Sequence, residues 1–234
     1  MGSIRNNLQE VERRIQAAYL ATQAVGRVAA PRPILVAVSK TFSADAVRQA
    51  HAAGQGQFGE NYVQEALAKI AALADLRADL LWHFIGPLQS NKTRGVAEAF
   101  DWVHTVDRLK IAQRLAEQRP AHLPPLNLCL QVNVSGEDSK SGVPPTEVPA
   151  LAQAVAALPP ERVRLRGLMS IPEPAIDAAA QRAPHRALRE LLGALNASGL
   201  TLDTLSMGMS ADLEAAVAEG ATLLRVGSAV FGAR

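Results

Sequence analysis

One lysine of this sequence stands where its amine could act as a nucleophile. Lys40 follows 34–38 and Ser39, and that short apolar run, rich in β-branched residues, predicts a strand buried on both faces. A surrounding of low dielectric constant lowers the pKa of a lysine, so that free amine becomes available to attack a carbonyl carbon and form a Schiff base. Position alone fits an ordinary lysine in a surface loop equally well, so both interpretations stay open at this point.

Two segments near the C-terminus have the composition of a phosphate site. The run 223–232 predicts a strand that ends at Gly227 and Ser228 and enters a short helix, whose first N–H groups lack partners within the helix. The preceding loop adds hydroxyl and backbone N–H donors at Ser206, Met207 and Ser210. Each segment could be a tight turn that simply needs glycine, but the two together, in this order, favour a phosphate cradle.

A charged residue, Arg225, falls inside the last predicted strand. A guanidinium that points inward is costly without a partner, so a buried ion pair and a contact with a ligand are the two interpretations. A lysine that can form an imine, a phosphate cradle and an arginine between them match the three ends of pyridoxal 5′-phosphate (PLP): the aldehyde, the phosphate and the ring nitrogen.

The order of the predicted elements brings these residues to one end of a parallel barrel. The predicted strands, between which helical patterns lie, are 34–38, 57–59, 81–84, 102–104, 126–134, 163–168, 204–205 and 223–226. An amphipathic helix from Ile4 to Tyr19 precedes them. We therefore predict an α/β fold, a single (β/α)8 TIM-type barrel over residues 1–234 with an extra N-terminal helix, in which functional groups follow the strands. An open doubly wound sheet is the alternative, but no Gly-x-Gly-x-x-Gly follows the first strand.

Helix ends are predicted from capping residues. Ser43, Asp107 and Ser210 are the predicted N-caps, and the helix that begins at Ser210 is expected to end just before Gly220.

Composition excludes several classes of protein. Of the 234 residues, 48% are hydrophobic and 20% charged, which supports a sizeable core. The single Cys129 allows no intrachain disulfide, and a net charge of +2 with 4% aromatic residues does not favour nucleic-acid binding. We expect no metal site. No apolar run approaches the roughly 18 residues of a membrane span, and no secretory signal is recognisable, so a cytoplasmic protein is expected.

Six segments together resemble the pyridoxal phosphate homeostasis proteins, the YggS/PROSC-like family, over nearly the whole chain. They are 36–41, 58–65, 82–92, 166–169, 205–210 and 225–228. The run 82–92 is the most specific of them. One departure is Ser228, where the family often has threonine, and it keeps the hydroxyl.

The resemblance implies a barrel like the N-terminal domain of alanine racemase, with Lys40 as the internal aldimine. It also implies that Arg225 faces the pyridine nitrogen and that Asn61 and His83 line the cofactor. The residues implied for the phosphate are Ser210, Gly227 and Ser228.

The family implies a role in holding, buffering or handing over PLP to PLP-dependent apoenzymes, as a monomer and without established turnover. One alternative is an amino-acid racemase. Against it, a guanidinium at the ring nitrogen weakens the ring as an electron sink. A racemase also needs a second acid/base group, which alanine racemase takes from a tyrosine of a further domain, whereas this sequence has only Tyr19 and Tyr62. Another alternative is a cofactor-free Schiff-base aldolase that acts on phosphorylated sugars.

The segment 135–142 is rich in glycine and serine and follows a predicted strand. It is predicted to be a flap over the cofactor, or else a solvated loop with no role. Its Lys140 is the second candidate for the reactive lysine.

Overall fold

Eight parallel strands close into a barrel in the computed structural model, which describes residues 3–24, 31–135 and 141–232. Each strand pairs with the next along the chain, and the first pairs with the last. The strands are β1 (Ile34–Val38), β2 (Gln57–Glu60), β3 (Leu81–Phe84), β4 (Trp102–Val106), β5 (Leu126–Gln131), β6 (Val163–Met169), β7 (Thr204–Ser206) and β8 (Leu223–Val226). The predicted fold class is confirmed.

Helices connect the strands, and one further helix precedes them. They are α1 (Ile4–Ala24), α2 (Ala44–Ala52), α3 (Val63–Ala72), α4 (Thr93–Ala99), α5 (Leu109–Gln118), α6 (Val148–Ala156), α7 (Ala178–Ala197), α8 (Leu213–Ala218) and α9 (Ser228–Phe231). Short 3-10 turns lie at Ala74–Leu76 and Ser90–Lys92. Ser43 caps α2 as predicted, because its hydroxyl accepts the N–H of Ala46 at 3.3 Å.

The core follows from the apolar strands and from one apolar stripe on each helix. In β1 every residue after Ile34 is buried, as a strand covered on both faces requires. In α5 the buried residues Ile111, Ala112, Leu115 and Ala116 share one face of the helix. Full burial of one such leucine contributes about 1.5–3 kcal/mol, so many small contributions of this kind hold the helices against the barrel.

The N-terminal helix packs against the last two helices of the chain. Leu8, Val11 and Ile15 form its buried stripe, and it packs against α8 and α9. The side-chain amide of Asn7 donates to the carbonyl of Val230 at 2.9 Å, which ties α1 directly to α9. The predicted helix is thus confirmed, and it extends to Ala24.

Two predicted helix starts are wrong. Arg108, not Asp107, precedes α5, because the Asp107 carboxylate accepts the Arg108 guanidinium at 2.6 Å instead of a helix N–H. Asp212, not Ser210, precedes α8, and its carboxylate accepts the N–H of Met209 at 2.7 Å. That bond closes a turn before α8, so the helix is shorter at its start than predicted.

No helix in the described ranges combines the length and the apolar character that a bilayer span requires. Within the same residues, no three side chains of His, Cys, Asp or Glu come together in a way that could bind a metal ion. Cys129 is fully buried, and burial raises the pKa of its thiol to about 12, because the thiolate is poorly solvated there.

Candidate functional site

A cavity of about 580 Å³ opens at the carboxyl ends of the strands. Its volume suits a small organic ligand. Six of the nine residues singled out from the sequence line it: Lys40, Asn61, Ser210, Arg225, Gly227 and Ser228. The structure therefore gathers the lysine, the arginine and the glycine–serine segment, which are far apart in the sequence, around one space.

The other three predicted residues do not line this cavity. His83, Ser206 and Met207 are fully buried. Met207 packs in the hydrophobic core. His83 and Ser206 belong instead to a chain of hydrogen bonds behind Arg225.

That chain crosses the inside of the barrel from β8 to β3. Arg225 donates one guanidinium N–H to Ser206 Oγ at 2.7 Å and another to the carbonyl of Ser170 at 2.7 Å. Ser206 Oγ lies 2.7 Å from His104 Nδ1, and His104 Nε2 lies 2.9 Å from His83 Nδ1. We assign the Ser206 hydroxyl as the donor to His104 Nδ1, and the Nε2–H of His104 as the donor to His83 Nδ1. In this arrangement the guanidinium N–H, the hydroxyl and the His104 N–H each have an acceptor.

Burial controls the charges in this chain. Burial lowers the pKa of Arg225 to about 10, so the guanidinium is still protonated at neutral pH. Burial also lowers the pKa of His83 to about 3 and that of His104 well below its usual value, so both imidazoles are neutral. Within the part of the chain that the structure describes, no carboxylate pairs with Arg225, and the ion pair that the sequence left open is not formed there.

Lys40 reaches the cavity from the loop after β1. A second lysine, Lys69, is buried close to this loop and was not singled out from the sequence. Its ammonium donates to the carbonyl of Ser39 at 2.7 Å and to Glu60 at 2.5 Å. Those bonds hold the Lys69 amine away from the cavity. Among the residues that the structure describes, Lys40 is therefore the lysine that lines the cavity.

The Gly–Ser end of the cavity is shaped by close backbone packing. Gly227 precedes α9 and Ser228 is its first residue. The N–H groups of Val230 and Phe231 donate to the carbonyl of Gly227 at 2.9 Å and 3.0 Å, so the N–H groups of Ser228 and Ala229 are the ones left without a backbone acceptor among the described residues. On the neighbouring loop, Gly208 has φ +90°, and an added Cβ would stand 2.5 Å from the Cβ of Ala216. Arg14 of α1 donates to the carbonyl of Ser210 at 3.1 Å, which fixes this loop from outside.

Asn61 lies in the wall because two loops approach each other closely. A Cβ added to Gly86, in the loop after β3, would stand 2.1 Å from the backbone oxygen of Asn61. The side-chain oxygen of Asn61 is buried and has no hydrogen-bond partner among the described residues. A buried acceptor of this kind fits a site that a bound ligand completes.

A smaller cavity of about 270 Å³ adjoins the first and shares Asn61, Ile85 and Ile171 with it. Ser141, at the end of the predicted flap, lines it. Residues 136–140 of that segment, Lys140 included, lie outside the described residues, so the flap and the second candidate lysine stay predictions.

Comparison with known proteins connects this arrangement to one family. The family model described as "Alanine racemase, N-terminal domain" matches residues 15–234. A protein of Pseudomonas aeruginosa named "Pyridoxal phosphate homeostasis protein" is 64% identical, with 100% of this chain and 97% of that protein covered. An Escherichia coli protein of the same name is 53% identical, with 100% and 98% covered.

Solved structures agree with the barrel. PipY of Synechococcus elongatus PCC7942 with PLP bound superposes with a TM-score of 0.78 at 42% identity, with 92% of this chain and 100% of PipY covered. PipY without PLP gives a TM-score of 0.80 at 43% identity, with 91% and 99% covered. An alanine racemase of Clostridium difficile gives a TM-score of 0.70 at 12% identity, with 95% and 56% covered, a likeness of fold alone.

Proposed function

This chain belongs to the pyridoxal phosphate homeostasis protein family, and from that premise we propose that it binds PLP through Lys40 and holds, buffers or hands over the cofactor. The observation that carries the proposal is the cavity itself, in which an amine, a guanidinium and a Gly–Ser helix start surround one space of ligand size. These groups correspond in chemistry to the three ends of PLP. The donor set therefore fits the cofactor.

Lys40 is the residue that we propose for covalent attachment. When bound, PLP supplies an aldehyde, which a lysine amine takes up reversibly with loss of water. Reversibility matters for a protein that holds and releases its ligand, because the bond then keeps the cofactor without consuming it. The apolar β1 strand behind Lys40 supplies the wall from which its amine projects.

The Gly–Ser segment is the part that we propose for the phosphate. The hydroxyls of Ser210 and Ser228 and the backbone N–H groups of Ser228 and Ala229, at the start of α9, are donors, as an anion requires. Asn61 offers an amide at the wall between this segment and β3. We assign no direct contact with the cofactor to His83, Ser206 or Met207. Ser206 and His83 support Arg225 through the chain of hydrogen bonds, and Met207 packs in the core behind the cavity wall.

Arg225 is the residue that we propose for the ring nitrogen, and its charge supports a role without turnover. A protonated guanidinium donates to that nitrogen and does not protonate it, which leaves the ring a weak acceptor of electrons from a substrate carbanion. Neither Tyr19 nor Tyr62 is among the residues that line the cavity, although a racemase needs an acid/base group opposite its lysine. We therefore propose that the chain is a carrier and not an enzyme.

The remaining features of the proposal follow from the family. We propose that the whole chain forms one cofactor-binding domain, that it acts as a monomer in the cytoplasm, and that the recipients of PLP are PLP-dependent apoenzymes. Transfer is testable with a purified apoenzyme, whose recovered activity after mixing with the loaded protein measures delivery.

The test of binding is an absorbance titration of the protein with PLP. Wild type and Lys110→Ala, a substitution of an exposed lysine on α5, are expected to give the same saturable spectral change. Lys40→Ala is expected to lose the absorption of the covalent form. No saturable change in the wild type would overturn the proposal.

The carrier assignment is tested separately. The loaded protein is incubated with amino acids in D2O, and exchange at the α-carbon is followed by NMR. We expect no exchange above that of free PLP, and catalytic exchange that disappears in Lys40→Ala would establish an enzyme instead.

A further inference from the structure

The backbone just before Lys40 is held by a buried ion pair. Lys69, on α3, donates to the carbonyl of Ser39 at 2.7 Å and to Oε1 of Glu60, at the end of β2, at 2.5 Å. The hydroxyl of Ser39 donates to the same carboxylate oxygen at 2.6 Å. Both polar groups of Ser39 that face this pair are therefore bonded to charged side chains.

The backbone just after Lys40 is held by a second carboxylate. Oε1 of Glu65, at the start of α3, accepts the N–H of Thr41 at 2.6 Å and the Lys69 ammonium at 3.1 Å. Thr41 has φ +68° and is the one residue other than glycine with a positive φ in the described ranges. A β-branched residue is strained in that conformation and needs its surroundings to hold it there.

The site of the strain indicates a function. Strained backbone persists where other contacts enforce it, and it concentrates where a side chain must be aimed. Here the strained residue adjoins the lysine that lines the cavity, and the contact that enforces it is a charged hydrogen bond, a strong kind.

Stability alone does not explain the ion pair. The side chains of Lys69 and Glu60 are 4% and 0% exposed, and burial raises the pKa of Glu60. Oε2 of Glu60 is buried without a hydrogen-bond partner among the described residues. A buried ion pair with an unsatisfied oxygen is a poor source of stability compared with apolar packing.

We propose that Glu60, Glu65 and Lys69 are positioning residues, which fix the backbone on both sides of Lys40 so that its amine is aimed into the cavity. This role rests on the function proposed above. It assigns the three residues no contact with the cofactor, since they act through Ser39 and Thr41.

The test centres on Glu65, because its side chain is 32% exposed and its loss leaves the fold intact more readily than loss of a buried ion. Glu65→Ala is expected to weaken PLP attachment roughly tenfold or more, as loss of a hydrogen bond to a charged group does. Glu65→Gln is expected to recover part of the affinity, because its amide oxygen still accepts the N–H of Thr41. The matched control is Glu117→Ala, an exposed glutamate of helix α5, which is expected to bind as wild type does.

A second substitution separates positioning from a general loss of structure. Glycine adopts φ +68° without a steric penalty, so adding Thr41→Gly to Glu65→Ala is expected to restore affinity towards the wild-type value. Failure of glycine to restore any affinity would contradict the role assigned to the strained residue.

The buried pair is tested by the double variant Lys69→Met/Glu60→Gln, which removes both charges together and leaves no unpaired ion. Its circular dichroism is compared with that of wild type, and weaker PLP attachment in the folded protein is expected. If this variant does not fold, the Glu65 series decides the proposal.

Amide hydrogen exchange of the protein without PLP gives an independent measurement. Glu65→Ala is expected to speed exchange at Thr41 and its neighbours, while exchange in the barrel strands stays at the wild-type rate. If the wild type fails to bind PLP, the proposed function is wrong, and the exchange data still decide whether the backbone is held in this way. If the wild type binds and Glu65→Ala binds equally well, positioning is overturned.

Discussion

The two buried histidines behind Arg225 make the fold sensitive to acid. Burial lowers the pKa of His83 to about 3, whereas an exposed histidine in the unfolded chain has a pKa near 6.5. Between pH 6.5 and pH 3, this histidine therefore binds a proton in the unfolded chain but not in the folded protein. The stabilisation that depends on neutral His83 is therefore complete above pH 6.5 and is lost progressively as the pH falls towards 3.

The magnitude follows from the two pKa values. Between pH 7.5 and pH 5.0, His83 alone lowers the free energy of unfolding by about 2 kcal/mol, since each pKa unit corresponds to about 1.4 kcal/mol. His104 acts in the same direction, because burial lowers its pKa as well.

The assay is urea denaturation of the protein without PLP at both pH values, for wild type and His83→Gln. Glutamine does not titrate, so the difference in unfolding free energy between the two pH values is expected to shrink by about 2 kcal/mol, whatever the variant's stability at pH 7.5. Carboxylates contribute equally to both proteins and cancel. His122→Gln, at an exposed site, is the control and is expected to keep the wild-type difference. An unchanged difference in His83→Gln would show that folding does not lower the pKa of His83.

Two further predictions concern residues that lie behind the cavity walls. Gly86→Ala is expected to lower the free energy of unfolding by about 1–3 kcal/mol and to weaken PLP binding, because the new Cβ meets the backbone of Asn61. Thermal denaturation measures the first effect and absorbance titration measures the second. The control is Gly193→Ala on α7, where the new Cβ meets no other atom, and it is expected to be neutral or stabilising. Equal behaviour of the two variants would contradict the close approach of Gly86 to Asn61. Ser206→Ala is expected to remove about 2–3 kcal/mol, because the buried guanidinium of Arg225 loses an acceptor; unchanged urea stability would show that water replaces the hydroxyl.

The strands were predictable where burial on both faces gives a continuous apolar run. The bounds of β1 and β3 agree with the prediction from sequence. The predicted strand 126–134 is too long, because the chain leaves the barrel after Gln131 and Val132 bridges to Val143. The predicted strand 57–59 ends one residue too early, because Glu60 still belongs to β2, where its carboxylate pairs with Lys69.

The cavity residues were predictable because they follow recognisable strands. The position of Lys40 and Gly227 at the cavity could be predicted from one rule, that functional groups follow the strands of a barrel. The chain through His104 and Ser206 was not predictable, because it joins strands 102 residues apart and depends on barrel closure and register. The cluster at Lys69 was missed because a lysine in a helical pattern is ordinarily exposed.

Attachment of PLP to Lys40 is tested most directly by locating the covalent bond. The protein loaded with PLP is reduced with borohydride, digested and mapped by mass spectrometry. We predict a single phosphopyridoxyl group on Lys40 and, in Lys40→Ala, no specific label. A label on Lys69, Lys140 or another lysine at the same occupancy, or an unlabelled wild type, would contradict it.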